Sequence, residues 1–177
     1  LKHVGVKAGA KHVWFDGSDV ITEKNETFSF GGSIPIEKSL VTTATGATLL
    51  ATQMNGQALT AAHGFPLRTV VPGFIGARSV KWLNKITVSD RPSPNHYVAD
   101  VYKLVPEENA ELIAKTSPIY EFMLNSAVCL PASGANLNGD RVTVKGFALT
   151  NGATGRSIKP PKYALTGAEN VFKQGEA

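Results

Sequence analysis

The sequence predicts an α+β fold in which strands dominate. Three observations carry this. Short β-prone runs recur between turn residues through most of the chain. Asn55-Gly56 lies between two such runs and is the strongest short-range hairpin signal a sequence offers. PEENAELIAK (Pro106–Lys115) stands apart as a brief helix.

Taken in order, KHVWF (Lys11–Phe15) and ETFSF (Glu26–Phe30) are rich in aromatic and β-branched residues and read as strands. DGSD and then TEKNE join them as a polar connection. GGSIP (Gly31–Pro35) reads as a turn or irregular segment, because glycine and proline weaken a strand ladder. TLLATQM runs into the Asn55-Gly56 hairpin, and LRTVV is a β-prone run stopped by Pro72-Gly73. VKWLNKITV alternates well enough for a strand, although its apolar positions shift phase near Leu83. The helix of PEENAELIAK has proline at its start and acids in its first turn, where they complement the helix dipole.

Around residues 116–120 the character changes. DRVTVKGFAL (Asp140–Leu149) alternates at period two after the loop PASGANLNG, and reads as the opening strand of a second, all-β unit. The rest is rich in Gly and Pro and shows little periodicity. It is too short to finish a sandwich of about seven strands. No internal repeat is present.

At 177 residues the chain is one domain, or a domain and part of another. Hydrophobic residues make up 42% and charged residues 18%, which suits a packed body. A formal charge of +4 permits an anionic ligand. Nucleic acid is not indicated, since no Lys/Arg-rich run or aromatic-basic repeat occurs. Cys129 is the single cysteine, so an internal disulfide is impossible and no zinc spacing exists. It is expected to be a small buried or half-exposed residue. No apolar stretch is long enough to span a bilayer, and no signal-peptide pattern opens the chain.

The densest chemistry lies in HGFPLRTVVPGFIGARSVKWL (His63–Leu83). Arg68 and Arg78 carry planar forks that match phosphate geometry, and Lys81 adds a point charge. Gly73 and Gly76 relieve the backbone of Cβ atoms, so consecutive N–H groups can turn towards an anion. His63 precedes a turn that aims its ring at the same place. Arg and Lys around a Gly turn more often mark a solvated loop, and a lone His is more often structural. Interleaving with Phe74, Val80 and Trp82 favours a partly buried anion site instead.

These residues resemble the sulfite oxidase family of molybdenum enzymes. The likeness runs through MNGQAL…HGFPLRTVVPGFIGARSVKWLNKITV. It extends upstream through KHVWFDGSD and GGSIPIEKSL, and downstream through NHYVADVYKL, LNSAVCLPASGA and VTVKGFAL. It covers roughly Leu1 to Gly155. The resemblance implies the C-terminal half of a molybdopterin-binding domain over residues 1–116. It also implies an incomplete immunoglobulin-like β-sandwich, a dimerisation domain, over 117–177. Asp19, His63, Arg68, Ser79, Val80 and Lys81 would contact molybdopterin, with the Asp19 carboxylate accepting from the pterin edge. Without the resemblance, Asp19 reads as a turn residue after Gly17. Arg78 would serve the cofactor or pair with an internal carboxylate.

Tyr102, in DVYKL, matches the tyrosine that reaches the metal centre in sulfite oxidases, while related nitrate reductases typically carry another residue there. It thus favours sulfite, although Val101 departs from the charged residue that often precedes it. The implied reaction is oxygen-atom transfer from molybdenum to sulfite, with electrons passing singly to a haem domain or a c-type cytochrome. The family's metal-ligating cysteine belongs to an Arg-rich loop of the domain's first half, and Cys129 does not sit in that motif. The ligand is therefore expected outside this chain, in a missing N-terminal half or on another chain. The chain alone is expected to be inactive, and the complete enzyme a homodimer in the mitochondrial intermembrane space or bacterial periplasm. The alternatives are a nitrate reductase fragment, and a non-catalytic relative serving as a structural subunit.

Overall fold

Alternation in HVWFDG sets the centre of the molecule. A computed structural model describes residues 1–149, apart from 2, 4, 24, 44, 45, 124 and 138–140. In β1 (His12–Gly17), Val13, Phe15 and Gly17 are buried while His12, Trp14 and Asp16 are half-buried. The strand is the middle of a three-stranded antiparallel sheet, between β4 (Gly31–Pro35) and β9 (Leu83–Ser89). Phe15 faces Gly32 on one side and Ile86 on the other. Val13, Phe15, Ile34, Ile36, Val71, Phe74 and Val80 form the core cluster. Each such side chain contributes about 1.5–3 kcal/mol by leaving water.

β4 corrects the reading of GGSIP as irregular. Its first four residues are all buried, so no apolar alternation marks it as a strand. Its glycines mark close approach: a Cβ on Gly32 would lie 2.9 Å from Val80 Cγ2, and one on Gly31 would meet Asn95. The polar connection before it also differs from expectation. β2 (Ile21–Glu23) and β3 (Glu26–Phe28) form a hairpin pairing Ile21 with Phe28 and Thr22 with Thr27. The pair is largely exposed, which leaves little apolar signal in the sequence.

The Asn55-Gly56 hairpin forms as expected. β6 (Gln53–Met54) and β7 (Gln57–Ala58) flank it, with φ of 53° at Asn55 and 76° at Gly56. β5 (Leu49–Ala51) pairs with β8 (Arg68–Val70), the strand read in LRTVV. A short helix, α1 (Ile36–Leu40), follows β4. α2 (Ala110–Lys115) begins later than Pro106 because Asn109 caps it. The Asn109 Oδ1 accepts from the N–H groups of Glu111 and Leu112 at 2.9 and 3.2 Å. A π-helical turn, Tyr97–Val101, leads into Tyr102.

The chain divides into two compact units, Leu1–Glu121 and Phe122–Ala177. Pro118 bridges to Lys103, and Glu121 to Phe74, within the first unit. In the second, β10 (Asn125–Leu130) pairs antiparallel with β11 (Lys145–Leu149). The strand read from Asp140 thus starts at Lys145, and Asp140 itself lies outside the described residues. Cys129, on β10, is exposed rather than buried or half-exposed. The tail after Leu149 also lies outside the described residues. Among those described, no helix is long and apolar enough to cross a membrane.

Candidate functional site

The site begins where β1 ends. Register between β1 and β9 shifts at Asp16 and Gly17. Beyond it, the Gly17 N–H donates to Phe30 O and the Ser18 N–H to Trp82 O, both at 2.9 Å. A Cβ on Gly17 would stand 2.6 Å from Asp19 Oδ1 and 3.0 Å from Lys81 O, so glycine leaves room for that carboxylate. Both Asp19 oxygens accept from the Phe30 N–H, at 3.2 and 3.3 Å.

Arg68 enters from β8. Its guanidinium donates to the carbonyls of His63 at 3.2 Å, Ser79 at 3.1 Å and Thr69 at 3.3 Å. Lys81 donates to Ala62 O at 3.0 Å, with its Nζ 4.4 Å from the Trp82 ring centroid. Trp82 has φ of 50°, an unusual conformation for a bulky residue, and its indole N–H donates to Ala61 O at 2.8 Å. Ser79 Oγ accepts from the Val71 N–H at 3.0 Å, which leaves its hydroxyl hydrogen to donate elsewhere.

Asp19, Arg68, Ser79, Lys81 and Tyr102 line one cleft of about 300 Å³, together with Phe30 and Trp82. The other two expected contacts lie elsewhere. His63 is exposed, with Nδ1 2.7 Å from Thr60 Oγ1, and meets the cleft residues through its carbonyl on Arg68. Val80 is in the core, 1% exposed. Of the two glycines expected to shape a backbone nest, Gly76 lines the cleft. The N–H groups of Phe74, Ile75, Arg78 and Ser79 bond carbonyls of Val71, Tyr120, Ile75 and Gly76, so they do not turn to an anion together.

Arg78 also departs from expectation. It is fully buried, and no carboxylate among the described residues forms a hydrogen bond or salt bridge with it. The salt bridges among the described residues are His96–Asp100 and Lys115–Glu111. Its Nε and Nη2 both donate to Ile119 O, at 3.0 and 2.7 Å. Burial lowers its pKa from the ordinary arginine value, against the Tyr120 and Tyr102 phenols, which raise it.

Among the described residues lining the cleft, Asp19 is the one carboxylate beside Arg68 and Lys81, so the site is cationic with one strong acceptor. That donor set fits a polar heterocycle bearing a phosphate, and the room that glycine leaves at position 17 lets the Asp19 carboxylate sit among the lining residues. A larger cavity of about 570 Å³, lined by His96, Asp100, Lys103, Glu107 and Glu108, holds none of the expected residues and carries mixed charge. Sequence reasoning missed Phe30 as a wall and Gly17 as a spacer. The glycine before the aspartate was the available signal for Gly17, and nothing marked Phe30.

Residues 1–97 match the family described as oxidoreductase molybdopterin binding domain. The chain is 37% identical to the mitochondrial sulfite oxidase of Drosophila melanogaster, over 97% of this chain and 30% of that protein. It is 38% identical to the sulfite oxidase of Arabidopsis thaliana, over 92% and 41%. An NADH nitrate reductase of Ulva prolifera is 37% identical over 96% of this chain and 21% of that one. The crystal structure of the sulfane dehydrogenase SoxCD from Paracoccus pantotrophus is similar, with a TM-score of 0.60. It is 26% identical, covering 84% of this chain and 34% of that chain. This chain thus spans well under half the length of these relatives. The β-rich fold and the family match define a molybdopterin-binding oxidoreductase domain. More narrowly, the chain belongs to the sulfite oxidase family.

Proposed function

We propose that this chain is part of a sulfite-oxidising enzyme and supplies one wall of its molybdopterin site together with Tyr102. The observation that carries the reading is the convergence of Asp19, Arg68, Ser79, Lys81 and Tyr102 on one cleft. Arg68 and Lys81 hold the phosphate and polar edge by charge-assisted hydrogen bonds, and Asp19 accepts from the pterin. Val80 supports these residues from the core, and His63 orients Arg68 through its carbonyl. Molybdopterin held by Asp19, Arg68, Ser79 and Lys81 would supply oxygen-atom transfer and two-electron redox chemistry. A thiolate ligand to the metal would come from outside this chain, and a haem domain or c-type cytochrome would serve as electron acceptor.

Tyr102 donates from its phenol to an oxygen of the anionic substrate, stabilising charge where it moves. Residues 1–116 belong to the cofactor domain and 117–177 open an immunoglobulin-like dimerisation domain of a homodimer. The organellar sulfite oxidases and the bacterial neighbour support the mitochondrial intermembrane space or the periplasm as location. The nitrate reductase likeness favours a rival substrate.

The full-length protein decides between them. Purified with molybdenum, it should reduce cytochrome c when given sulfite and should not turn over nitrate. Tyr102→Phe, at matched molybdenum content, should lower kcat/KM for sulfite. Loss of one preorganised donor costs up to about 10²–10³, and an accessible phenol less. Nitrate turnover without sulfite turnover overturns the substrate. Unchanged sulfite kinetics in Tyr102→Phe would return that residue to a packing role.

A further inference from the structure

We propose that Arg78 is the positioning residue for Tyr102, tying its backbone and ring to the loop that lines the cleft. The inference rests on the reading of Tyr102 as the residue that meets the substrate. Arginine is almost never fully buried unless paired with an acid, yet Arg78 is 0% exposed and no acid among the described residues forms a salt bridge with it. What it does meet is arranged around Tyr102. Its fork closes on Ile119 O, and the Ile119 N–H donates to Tyr102 O at 2.8 Å. Its guanidinium carbon lies 5.8 Å from the Tyr102 ring centroid and 5.5 Å from that of Tyr120, within reach of a cation–π contact.

The other end of the link is the cleft itself. Gly76, Ala77 and Ser79, the neighbours of Arg78, line it, and Ser79 O takes a hydrogen bond from Arg68. The Ile75 N–H donates to Tyr120 O at 2.8 Å, so the same two segments are stitched twice. Arg68, the lining loop, Arg78, Ile119 and Tyr102 are therefore joined by one continuous run of chain and hydrogen bonds. An aliphatic side chain would fill the space but leave Ile119 O without this donor. Lysine keeps the charge but cannot direct two N–H groups of a rigid plane at one oxygen.

A pure packing role and a positioning role differ in a double-mutant cycle on the full-length holoenzyme. At matched molybdenum content, Arg78→Lys should lower kcat/KM for sulfite by about tenfold, the scale of coupling between residues in one network. In a Tyr102→Phe background the same change should cost less than about twofold, because the hydroxyl it positions is gone. An equal factor in both backgrounds overturns the proposal while leaving the role of Tyr102 intact. Wild-type kinetics in Tyr102→Phe alone overturns both. A second readout needs no turnover and no variant. In the wild-type full-length protein the Ile119 amide should be among the slowly exchanging amides in deuterium exchange. Rapid exchange at Ile119 would also overturn the proposal, since nothing would then hold Tyr102 O.

Discussion

Arg68 shows how a single cationic side chain is held in the cleft. Its three hydrogen bonds to the described residues go to carbonyl oxygens, so its geometry is fixed while its charge stays available. A charge-assisted contact of this kind is worth about 1.5–3 kcal/mol. In the full-length enzyme Arg68→Gln should weaken molybdopterin retention about tenfold or more. Arg68→Lys should recover part of it, since the charge returns without the fork. Pterin content after gel filtration measures this, and unchanged content in both variants would remove Arg68 from the site. The stretch around Arg68 was legible from residue chemistry alone. Asp19 and Tyr102 were legible only through resemblance, because an acid after glycine and an aromatic near a strand end have ordinary explanations. Arg78 was misread for a physical reason. Its partner is a main-chain carbonyl 41 positions away, and no local pattern announces that.

At the level of elements, alternating or β-branched runs were legible as strands, and the glycine-led and largely exposed ones were missed. β1 alternates because one face meets the core. β4 is buried throughout, and its glycines, which read as breakers, are there to let Val80 and Asn95 come close. The 3₁₀ turn Ala61–His63 ends in another such approach. Gly64 has φ of 98°, and a Cβ there would lie 2.9 Å from Lys81 Cβ and 3.1 Å from its Cα. Gly64→Ala should therefore destabilise the protein by about 1–3 kcal/mol and lower cofactor loading by displacing Lys81. Gly56→Ala is the matched control. Its φ of 76° brings similar strain, but nothing lies within 4 Å of the added carbon. Urea unfolding should show both variants weakened, with loading lost only in Gly64→Ala. Equal loading in the two would mean that Lys81 does not depend on this contact.

Across the whole molecule, the cleft is assembled from residues 19 to 102 of the first unit. That assembly holds cations, an acceptor and a phenol, and the reading proposed above places the metal's thiolate elsewhere. Residues 1–177 expressed alone should therefore show no sulfite-dependent reduction of cytochrome c and no stoichiometric molybdenum. Substantial turnover by the isolated chain would bring Cys129 back as a ligand.

The central position of β1 has a bearing on how the protein is made. One of its edges is covered by β4, which follows it closely in the chain, and the other by β9, which ends at Ser89. The indole N–H of Trp14 reaches across 77 positions to the carbonyl of Arg91. During synthesis the first strand thus emerges long before its second neighbour exists, with one row of amides and carbonyls open to any other extended segment. Closing that long loop is a late and entropically costly event. Asp19 follows β1 and Trp82 precedes β9, so this wall of the cleft also waits for that closure.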